Sequence, residues 1–366
     1  MRILHLIYES LGNPFGFGGA GVRAYEIYKR LKDRHDITLL CMKYPGARDG
    51  EIEGIRHVFV GTESMGLLKS TLAYTFKASQ YVMNNGNRFD VIIEGFRPST
   101  PFFSIYLTKT PVILQLQGIM GIHSLRKFNP FYSFPMYIIE RLYPKLYERL
   151  IFVTDVNIEK YIKGGKRYAV IPNGVDKELL KVKTVEGNYM LFLSRIDTYT
   201  KGLDILLDAF VIVAERFKDI RLILAGHEID STERLFKRLP QRLREKVSYV
   251  GFVRGEEKIR LLAGAKVFVL PSRHEAHPIS VLEAMACGCP VIVSDIPEMR
   301  YINDNGLGFV FRSGSATSLA EKIQDLLHDD SLRKRLREKG RMYASNLLWD
   351  DVALMFERFL FRALTQ

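Results

Sequence analysis

The chain alternates strand-like and helix-like segments along its whole length, and this alternation restricts its fold more than any other feature. Short apolar runs typical of buried strands recur in the first half, at residues 2–8, 36–42, 90–96, 111–117, 150–154 and 168–172. Helical segments separate most of them, which favours a parallel sheet with helices on both faces. Because 366 residues exceed one ordinary hydrophobic core, two domains are expected.

The same pattern restarts after an irregular stretch at residues 172–188, which contains Pro, Asn-Gly and mixed charge and is the predicted linker. Further buried strands are predicted at residues 188–194, 220–226, 247–252, 266–271 and 290–295. The segment 201–217 places its leucines on one helical face. In open parallel sheets ligands bind beyond the carboxyl ends of the strands, so two such sheets suggest a ligand between them.

Charge and composition narrow the classes of partner. The formal charge of +12 indicates either solubility or an anionic partner. The basic residues are scattered without a long run, so no nucleic-acid partner is expected. No apolar stretch approaches a membrane span and no secretory signature is visible, so we expect a cytoplasmic protein, free or at the inner face of the membrane. Cys41, Cys287 and Cys289 are expected to be free, mostly buried thiols in a reducing compartment.

Two glutamates flank a predicted helix start in the second half. Glu275 lies in a loop after a strand, and Glu283 lies in the following helix, whose start is predicted near Pro278 or Ile279. Unpaired amides and the helix dipole at such a start favour a phosphate. The two carboxylates could therefore bind hydroxyls on either side of a diphosphate. Two glutamates eight positions apart are common, so the spacing taken alone favours an ordinary surface-loop carboxylate and an ordinary helix-face carboxylate.

Cations and glycines add two further candidate anion-binding elements. Arg195 and Lys201 lie between a strand and a helix, where they could neutralise a diphosphate leaving group or simply form an exposed basic loop. The loop after the first strand contains glycines that permit close backbone approach to an anion: Gly16, Gly18, Gly19 and Gly21. This G-x-G-G-x-G pattern lacks the dinucleotide fingerprint and the P-loop, which argues against a nicotinamide cofactor, a kinase or an ATPase.

Several segments together resemble one family, retaining glycosyltransferase family 4 of the GT-B fold (glycosyl transferases group 1). They occur in the expected order: GGAGVRAYEIYKRL, IPNGVD, LSRIDTYTKGLDILLDAF, LILAGHE, YVGFV, VFVLPSRHEAHPISVLEAMACGCPVIVSD and LLWDDVALMFERF. The resemblance is strongest over residues 170–300. It implies an α/β protein with two Rossmann-like parallel-sheet domains facing each other across a cleft.

The resemblance also implies a division of labour between these domains. Residues 1–172 would bind the acceptor, residues 173–348 would bind the nucleotide-sugar donor, and the C-terminal helix within 349–366 would cross back to the first domain. That helix has an apolar face that we expect to pack there, formed by Val352, Met355, Phe356, Phe359 and Leu360.

Roles in the family can be assigned to matching positions here. Arg195 and Lys201 would bind the diphosphate, Glu275 would contact the transferred sugar, and Glu283 would hold the ribose; Arg195, Lys201 and Glu275 form the implied catalytic set. The remaining implied donor contacts are Gly18 and Gly19 near the phosphates, the backbone of His277, Pro278 and Ile279 at the β-phosphate, Phe252 and Val253 at the base, and Gln117 at the sugar. Pro278 departs from the family pattern and lacks an N–H donor.

The implied reaction moves a sugar from a nucleotide-diphosphate sugar to a hydroxyl acceptor with retention of configuration, without a cofactor or an obligatory metal. The acceptor would be a glycan, a lipid-linked molecule or a small molecule. Residues 125–149 combine basic and aromatic side chains, which fits either a membrane-surface patch or an irregular segment kinked at Pro144. The alternatives are a nucleotide-sugar epimerase of the same fold, a non-catalytic nucleotide-sugar-binding protein and, on charge alone, a nucleic-acid binder.

Overall fold

The computed structural model describes residues 1–13, 18–64, 66–127 and 129–365. The chain forms two compact units. Unit 1 comprises Met1–Asn173 and the segment that begins at Trp349, and unit 2 comprises Gly174–Leu348. The first boundary therefore falls one residue beyond the predicted one, and the C-terminal helix belongs to unit 1.

Unit 1 is built on a sheet in the order β3-β4-β2-β1-β5-β6-β7-β8, in which only the β3–β4 pair is antiparallel. Its strands are β1 Arg2–Leu6, β2 Asp36–Met42, β3 Gly50–Ile52, β4 Ile55–Val60, β5 Val91–Gly95, β6 Val112–Leu116, β7 Arg149–Phe152 and β8 Arg167–Val170. The helices that accompany them are α1 Gly19–Leu31, α2 Leu67–Asn85, α3 Ile122–Lys127 and α4 Pro130–Leu142. The central strands are buried because helices cover both faces.

Unit 2 has a fully parallel sheet in the order β11-β10-β9-β12-β13-β14. Its strands are β9 Tyr189–Leu193, β10 Arg221–Ala225, β11 Val247–Tyr249, β12 Val267–Leu270, β13 Val291–Ser294 and β14 Gly308–Phe311. Its helices are α5 Thr198–Lys201, α6 Leu203–Arg216, α7 Thr232–Lys237, α8 Gln241–Arg244, α9 Gly255–Gly264, α10 Ile279–Ala286, α11 Arg300–Asp304, α12 Ala316–His328 and α13 Asp330–Ala344. Each strand predicted in either half of the sequence is present.

Three strands escaped the sequence-based prediction, namely β3, β4 and β14. β3 and β4 form a hairpin at the sheet edge, turned by Glu53 and Gly54, which both have positive φ. In β4 (IRHVFV) the adjacent Arg56 and His57 interrupt the apolar residues, so that no long apolar run is visible. β14 is a short edge strand that begins with a glycine. Edge strands such as β3 and β14 bury fewer side chains, so their apolar signal is weak.

The last helix, α14 (Trp349–Leu364), packs on α1 within unit 1. Phe356 meets Tyr28 edge to face with ring centroids 5.9 Å apart, and His35 Nε2 lies 2.6 Å from a carboxylate oxygen of Glu357. Four residues of the predicted apolar face are buried. Met355 is 41% exposed, so the prediction is wrong for this residue alone. Met355 lies at the edge of a stripe centred on Phe356.

The described part of the chain contains no helix long and apolar enough to cross a membrane. The three cysteines are free and buried, as predicted. Burial raises the pKa of the Cys287 thiol to about 12 and raises that of Cys41 and Cys289 as well. These thiols are therefore packing groups rather than nucleophiles.

Candidate active site

The two central strands of unit 2, β9 and β12, lie side by side and point the same way. After β9 the chain proceeds outward to β10 and β11, and after β12 it proceeds in the opposite direction to β13 and β14. The loops that leave β9 and β12 therefore diverge at their carboxyl ends. Such a switch point leaves a crevice where open α/β sheets bind ligands. Arg195 and Lys201 follow β9, and Glu275 and Glu283 follow β12.

A buried ion pair joins these two loops. Nζ of Lys201 lies 2.5 Å from Oε1 of Glu275, and the same oxygen accepts a 2.7 Å hydrogen bond from the Ser272 hydroxyl. Lys201 is 7% exposed and Glu275 is 8% exposed. The structure thus brings together two predicted residues that are separated by more than seventy positions.

Burial and neighbouring charged groups act on the pKa of Lys201. Burial lowers the pKa of Lys201 below its ordinary value, the Glu275 carboxylate opposes this shift, and the Arg195 guanidinium adds to it. Arg195 itself is exposed and forms no ion pair within the described residues. A second anion placed here would interact with a fixed ammonium and a nearby, available guanidinium.

Backbone geometry holds Lys201 at this place. Asp197 caps the short helix α5 by accepting a 3.0 Å hydrogen bond from the Thr200 amide. Gly202 then ends α5 with φ +67°, and a Cβ built on it would lie 2.0 Å from the carbonyl oxygen of Pro271. The loop after β9 therefore approaches the loop after β12 as closely as a residue without a side chain allows.

Arg273, which was not predicted from the sequence, joins the same two loops by hydrogen bonds. Its guanidinium donates to both carboxylate oxygens of Asp204, at 2.8 and 2.6 Å, and to the carbonyl of Tyr199 at 2.9 Å. Its backbone amide donates to the carbonyl of Thr200 at 2.9 Å. Hydrogen bonds to Asp204 and partial burial act in opposite directions on the pKa of Arg273, which is raised overall. Arg273 is a positioning residue for the Lys201–Glu275 pair.

The start of α10 has no side-chain cap. α10 begins at Ile279, as predicted, with Pro278 before it. In unit 2, α5, α7, α12 and α13 begin with side-chain caps, whereas α6, α8, α9 and α11 begin without one, as α10 does. An uncapped N-terminus leaves amide donors and the positive end of the helix dipole for an anion.

Glu283 lies on α10 and pairs with a lysine that the sequence did not indicate. Nζ of Lys258, on α9, lies 2.7 Å from Oε1 of Glu283. Burial lowers the pKa of Lys258, but nearby negative charge, to which the Glu283 carboxylate contributes most, outweighs this, so that the pKa is raised overall. The pair fixes one carboxylate oxygen of Glu283.

A third carboxylate lies at the end of the next strand. Glu298 follows β13 in the turn Pro297–Met299. Burial raises the pKa of Glu298, and the charge of Glu275 contributes to the same shift. The carboxyl ends of β9, β12 and β13 thus bring together an ammonium and two carboxylates, of which Glu298 was not predicted.

The other predicted residues of unit 2 are placed as follows. Phe252 follows β11 and is exposed, whereas the Val253 side chain is buried, so that only Phe252 offers its side chain to a ligand. His277 is buried with its ring 5.5 Å from that of Tyr301. The loops after β9 and β10 are joined by a hydrogen bond from the Ile196 amide to the His227 carbonyl, at 2.8 Å.

The predicted residues of unit 1 lie at the carboxyl ends of β1 and β6. The amides of Gly18 and Gly21 donate to one oxygen of the buried Glu9, at 2.9 and 2.6 Å, so the expected phosphate-facing amide of Gly18 is already bonded. Gly19 is the first residue of α1, and Gln117 immediately follows β6. Gly16 lies outside the described residues.

Residues 1–13, 18–64, 66–127 and 129–365 contain no cluster of three or more His, Cys, Asp or Glu side chains that could hold a metal ion. The switch point of unit 2 has three groups that can hold an anion, namely the cations Arg195 and Lys201 and the start of α10.

Comparison with known families decides which class of protein carries this arrangement. The model for Glycosyl transferases group 1 matches residues 177–343, and the model for Glycosyltransferase Family 4 matches residues 17–179. The chain belongs to this glycosyltransferase family. The resemblance inferred from the sequence motifs is confirmed.

Two curated relatives are similar to about half of the chain. The chain is 31% identical over 202 residues to the phosphatidyl-myo-inositol mannosyltransferase of Mycobacterium leprae, covering 53% of each chain. It is 32% identical over 223 residues to the GDP-mannose:cellobiosyl-diphosphopolyprenol alpha-mannosyltransferase of Xanthomonas oryzae pv. oryzae, covering 58% of each. The alignments thus span about half the length of these relatives.

The fold is shared with solved structures over the whole chain. The sucrose-phosphate synthase of Thermosynechococcus elongatus superposes with a TM-score of 0.82 at 18% identity, covering 99% of this chain and 98% of that one. At this identity the likeness concerns the fold alone. It confirms the predicted GT-B class, with two α/β units whose sheets are mostly parallel.

Proposed function

We propose that this transferase moves a sugar from a nucleotide-diphosphate sugar to a hydroxyl acceptor, with retention of configuration and without a metal ion. The observation that carries the proposal is the buried Lys201–Glu275 pair, which lies at the switch point of unit 2. Family membership supports the reaction class. Both curated relatives are named mannosyltransferases and one name specifies GDP-mannose, so GDP-mannose is the first donor to test.

The chemistry of the leaving group explains why cations are needed. As the bond to the sugar breaks, negative charge develops on the diphosphate, and fixed positive groups stabilise that charge. The Lys201 ammonium has three N–H donors, of which one is directed to Oε1 of Glu275. Glu275 therefore orients Lys201 and leaves further donors for the diphosphate. Arg195 adds a planar guanidinium that can bind two phosphate oxygens at once.

The carboxylates have positioning roles in this proposal. Glu275 orients the Lys201 ammonium and contacts the transferred sugar, while Glu283, fixed by Lys258, holds the ribose. A phosphate oxygen of the leaving group accepts the proton of the acceptor hydroxyl on the same face of the sugar. Glu275 therefore acts neither as a nucleophile nor as a general base.

Two alternatives use the same nucleotide-sugar site. A nucleotide-sugar epimerase would bind the donor and change its sugar without an acceptor. A non-catalytic binding protein would bind the donor and leave it unchanged. Product analysis after incubation with donor separates the three, because only the transferase gives nucleoside diphosphate together with a new glycoside or free sugar.

The donor-binding test is a panel of UDP, GDP and ADP read by thermal shift and calorimetry. We expect one nucleotide to stabilise the protein, with the same affinity in the presence of a chelator. Arg195→Ala should weaken that binding by roughly tenfold or more, because it removes a charged contact to the diphosphate. The matched control Arg216→Ala removes another exposed arginine of unit 2 and should leave the affinity unchanged. Binding that requires a divalent cation would refute the metal-independent mechanism.

The acceptor partner is proposed from the surface of α4 in unit 1. The residues 130–142 form a helix rather than the irregular segment considered from the sequence, and Pro144 lies in a following turn. We define the α4 surface by its exposed apolar side chains, Phe131, Tyr132, Phe134, Ile138 and Leu142. Phe131 is 89% exposed, and Arg141 is exposed on the same helix. Such a combination favours peripheral contact with an anionic membrane that carries a lipid-linked acceptor.

Vesicle co-sedimentation tests the α4 surface. We expect binding to vesicles of phosphatidylglycerol and phosphatidylcholine at low salt, weakening as salt increases. The double substitution Phe131→Ser/Phe134→Ser should abolish it, whereas Phe361→Ser, which alters an exposed phenylalanine of α14, should not. Equal binding by both variants would exclude α4 as the membrane contact.

A further inference from the structure

Unit 1 contains a pocket lined almost entirely by lysines. The pocket has a volume of about 360 Å³ and is lined by Lys145, Lys160, Tyr161, Lys163 and Lys166. Small-molecule sites begin at roughly 300 Å³, so the pocket is large enough for a small anion with its surroundings. We call it the lysine pocket.

The lysine pocket lies away from the carboxyl edge of its sheet. Lys145 lies in the turn before β7, Lys166 immediately precedes β8, and the other lining residues belong to the β7–β8 connection. The pocket is therefore at the amino ends of these parallel strands. Gly18 and Gln117 follow the carboxyl ends of β1 and β6, which form the opposite edge. The lysine pocket is thus separate from the positions in unit 1 assigned to the donor.

Hydrogen bonds to neutral groups fix two of the lysines. Nζ of Lys166 donates to the carbonyls of Pro144 and Lys145, at 3.2 and 2.6 Å, and so joins the two loops. Nζ of Lys160 donates to Oδ1 of Asn157 at 2.5 Å. These contacts hold ammonium groups in place without neutralising them.

A glycine turn connects a third lysine, Lys163, to Lys166. Gly164 and Gly165 lie between Lys163 and Lys166, with φ +83° and +76°, a conformation that favours glycine. No atom lies within 4 Å of a Cβ built on either glycine, so the turn is shaped by its own backbone rather than by packing. The tight turn keeps Lys163 and Lys166 on one pocket.

The positive charge of the pocket is left uncompensated. None of its four lysines forms an ion pair with a carboxylate in the part of the chain that the structure describes. Partial burial lowers the pKa of Lys166, the charge of Lys145 adds to this shift, and Glu148 opposes it. Glu148 is exposed and lies 3.7 Å from Arg149. Gathering four ammonium groups without a counter-ion is unfavourable, and a bound anion relieves the repulsion.

We propose that the lysine pocket is a binding site for a phosphate group. Phosphate carries up to two charges and several acceptor oxygens, which suit the rotatable donors of several lysines better than a single carboxylate does. The phosphate belongs either to a lipid headgroup or to a free phosphorylated molecule. Leu142, which is part of the α4 surface, and Leu146 are both exposed and lie close to Lys145 along the chain. This inference goes beyond the proposed sugar transfer and does not depend on it.

Calorimetric titration with inorganic pyrophosphate tests the free-ligand source. We expect the wild-type chain to bind it, and Lys145→Ala/Lys163→Ala to weaken binding at least about tenfold, since two charged contacts are lost. Lys166 is left intact because it joins two loops. The control Lys334→Ala/Lys339→Ala removes two exposed lysines of α13 and the same charge. Unit 2 also has a proposed diphosphate site, which contains Arg195 and Lys201. Pyrophosphate binding is therefore assigned to the lysine pocket only where it persists in Arg195→Ala/Lys201→Ala and weakens in Lys145→Ala/Lys163→Ala.

Co-sedimentation with phosphatidylcholine vesicles, with and without phosphatidic acid, tests the lipid source. Binding that depends on phosphatidic acid and is lost in Lys145→Ala/Lys163→Ala identifies a headgroup phosphate, even where pyrophosphate does not bind. The proposal is overturned if Lys145→Ala/Lys163→Ala binds pyrophosphate and phosphatidic acid vesicles as well as the wild type does. It is also overturned if the wild type binds neither of them. Nucleotide binding is measured in every variant, because its loss would concern the donor site and not the pocket.

Discussion

Replacement of Lys201 by alanine is expected to reduce the rate of sugar transfer by roughly a hundredfold to a thousandfold. This is the range seen when one preorganised donor is removed from developing negative charge. Lys201 is the buried cation at the switch point of unit 2, and its ammonium is already oriented by Glu275 before any ligand arrives. The turnover number, measured at saturating donor, should carry most of the loss.

Removing Lys201 also leaves Glu275 buried without its cation, which destabilises the fold. The double variant Lys201→Ala/Glu275→Gln separates this effect from catalysis. It removes the unpaired charge, so the melting temperature should recover toward that of the wild type while activity stays low. The control Lys181→Ala breaks the exposed pair with Glu178 and should change neither quantity measurably. Wild-type turnover in folded Lys201→Ala would contradict the catalytic assignment.

The site residues that could be predicted from the sequence are those that lie in a recognisable short segment, such as a transition from strand to helix. Glu275 and Glu283 lie on either side of a recognisable helix start, and Lys201 lies between strand β9 and the amphipathic helix α6, at the end of the short helix α5. Strand-to-helix transitions are visible in one window of sequence, and parallel sheets place their carboxyl ends at one edge. The edge that carries the site was therefore predictable before any contact was known.

The partners of these residues were not predictable in the same way. Lys258 is 25 positions from Glu283, and Arg273 is 69 positions from Asp204. An ion pair between distant positions leaves no period or spacing in the sequence. Its members look like ordinary surface charges until the sheet order brings their loops together. The same reason explains why Glu298 was missed.

The glycine-rich loop shows a second kind of limit. Glycines indicate that a backbone can approach another group closely, but they do not identify that group. In unit 1 the group next to Gly18 is the carboxylate of Glu9, which accepts its amide hydrogen bond. In unit 2 the group next to Gly202 is the carbonyl of Pro271, and here the close approach positions Lys201.

Gly202→Ala should be the most destabilising single substitution proposed for unit 2, costing about 3 kcal/mol or more. The new Cβ would lie 2.0 Å from the carbonyl oxygen of Pro271, far inside van der Waals contact. Backbone atoms on both sides must move, because no flexible side chain can yield. The movement would separate the loops that carry Lys201 and Glu275. Chemical denaturation followed by far-ultraviolet circular dichroism should measure the loss of stability.

Gly251→Ala isolates the effect of the clash from the effect of the dihedral angle. Gly251 also lies in unit 2 and has φ +80°, but nothing lies within 4 Å of a Cβ built on it. Its replacement should cost only about 1 kcal/mol, the conformational penalty of a left-handed non-glycine residue. Activity should fall in Gly202→Ala even under conditions where that variant is folded, and should persist in Gly251→Ala. Equal stability of the two variants would show that the β9 and β12 loops have room to separate without loss, so that their close approach does not hold the Lys201–Glu275 pair.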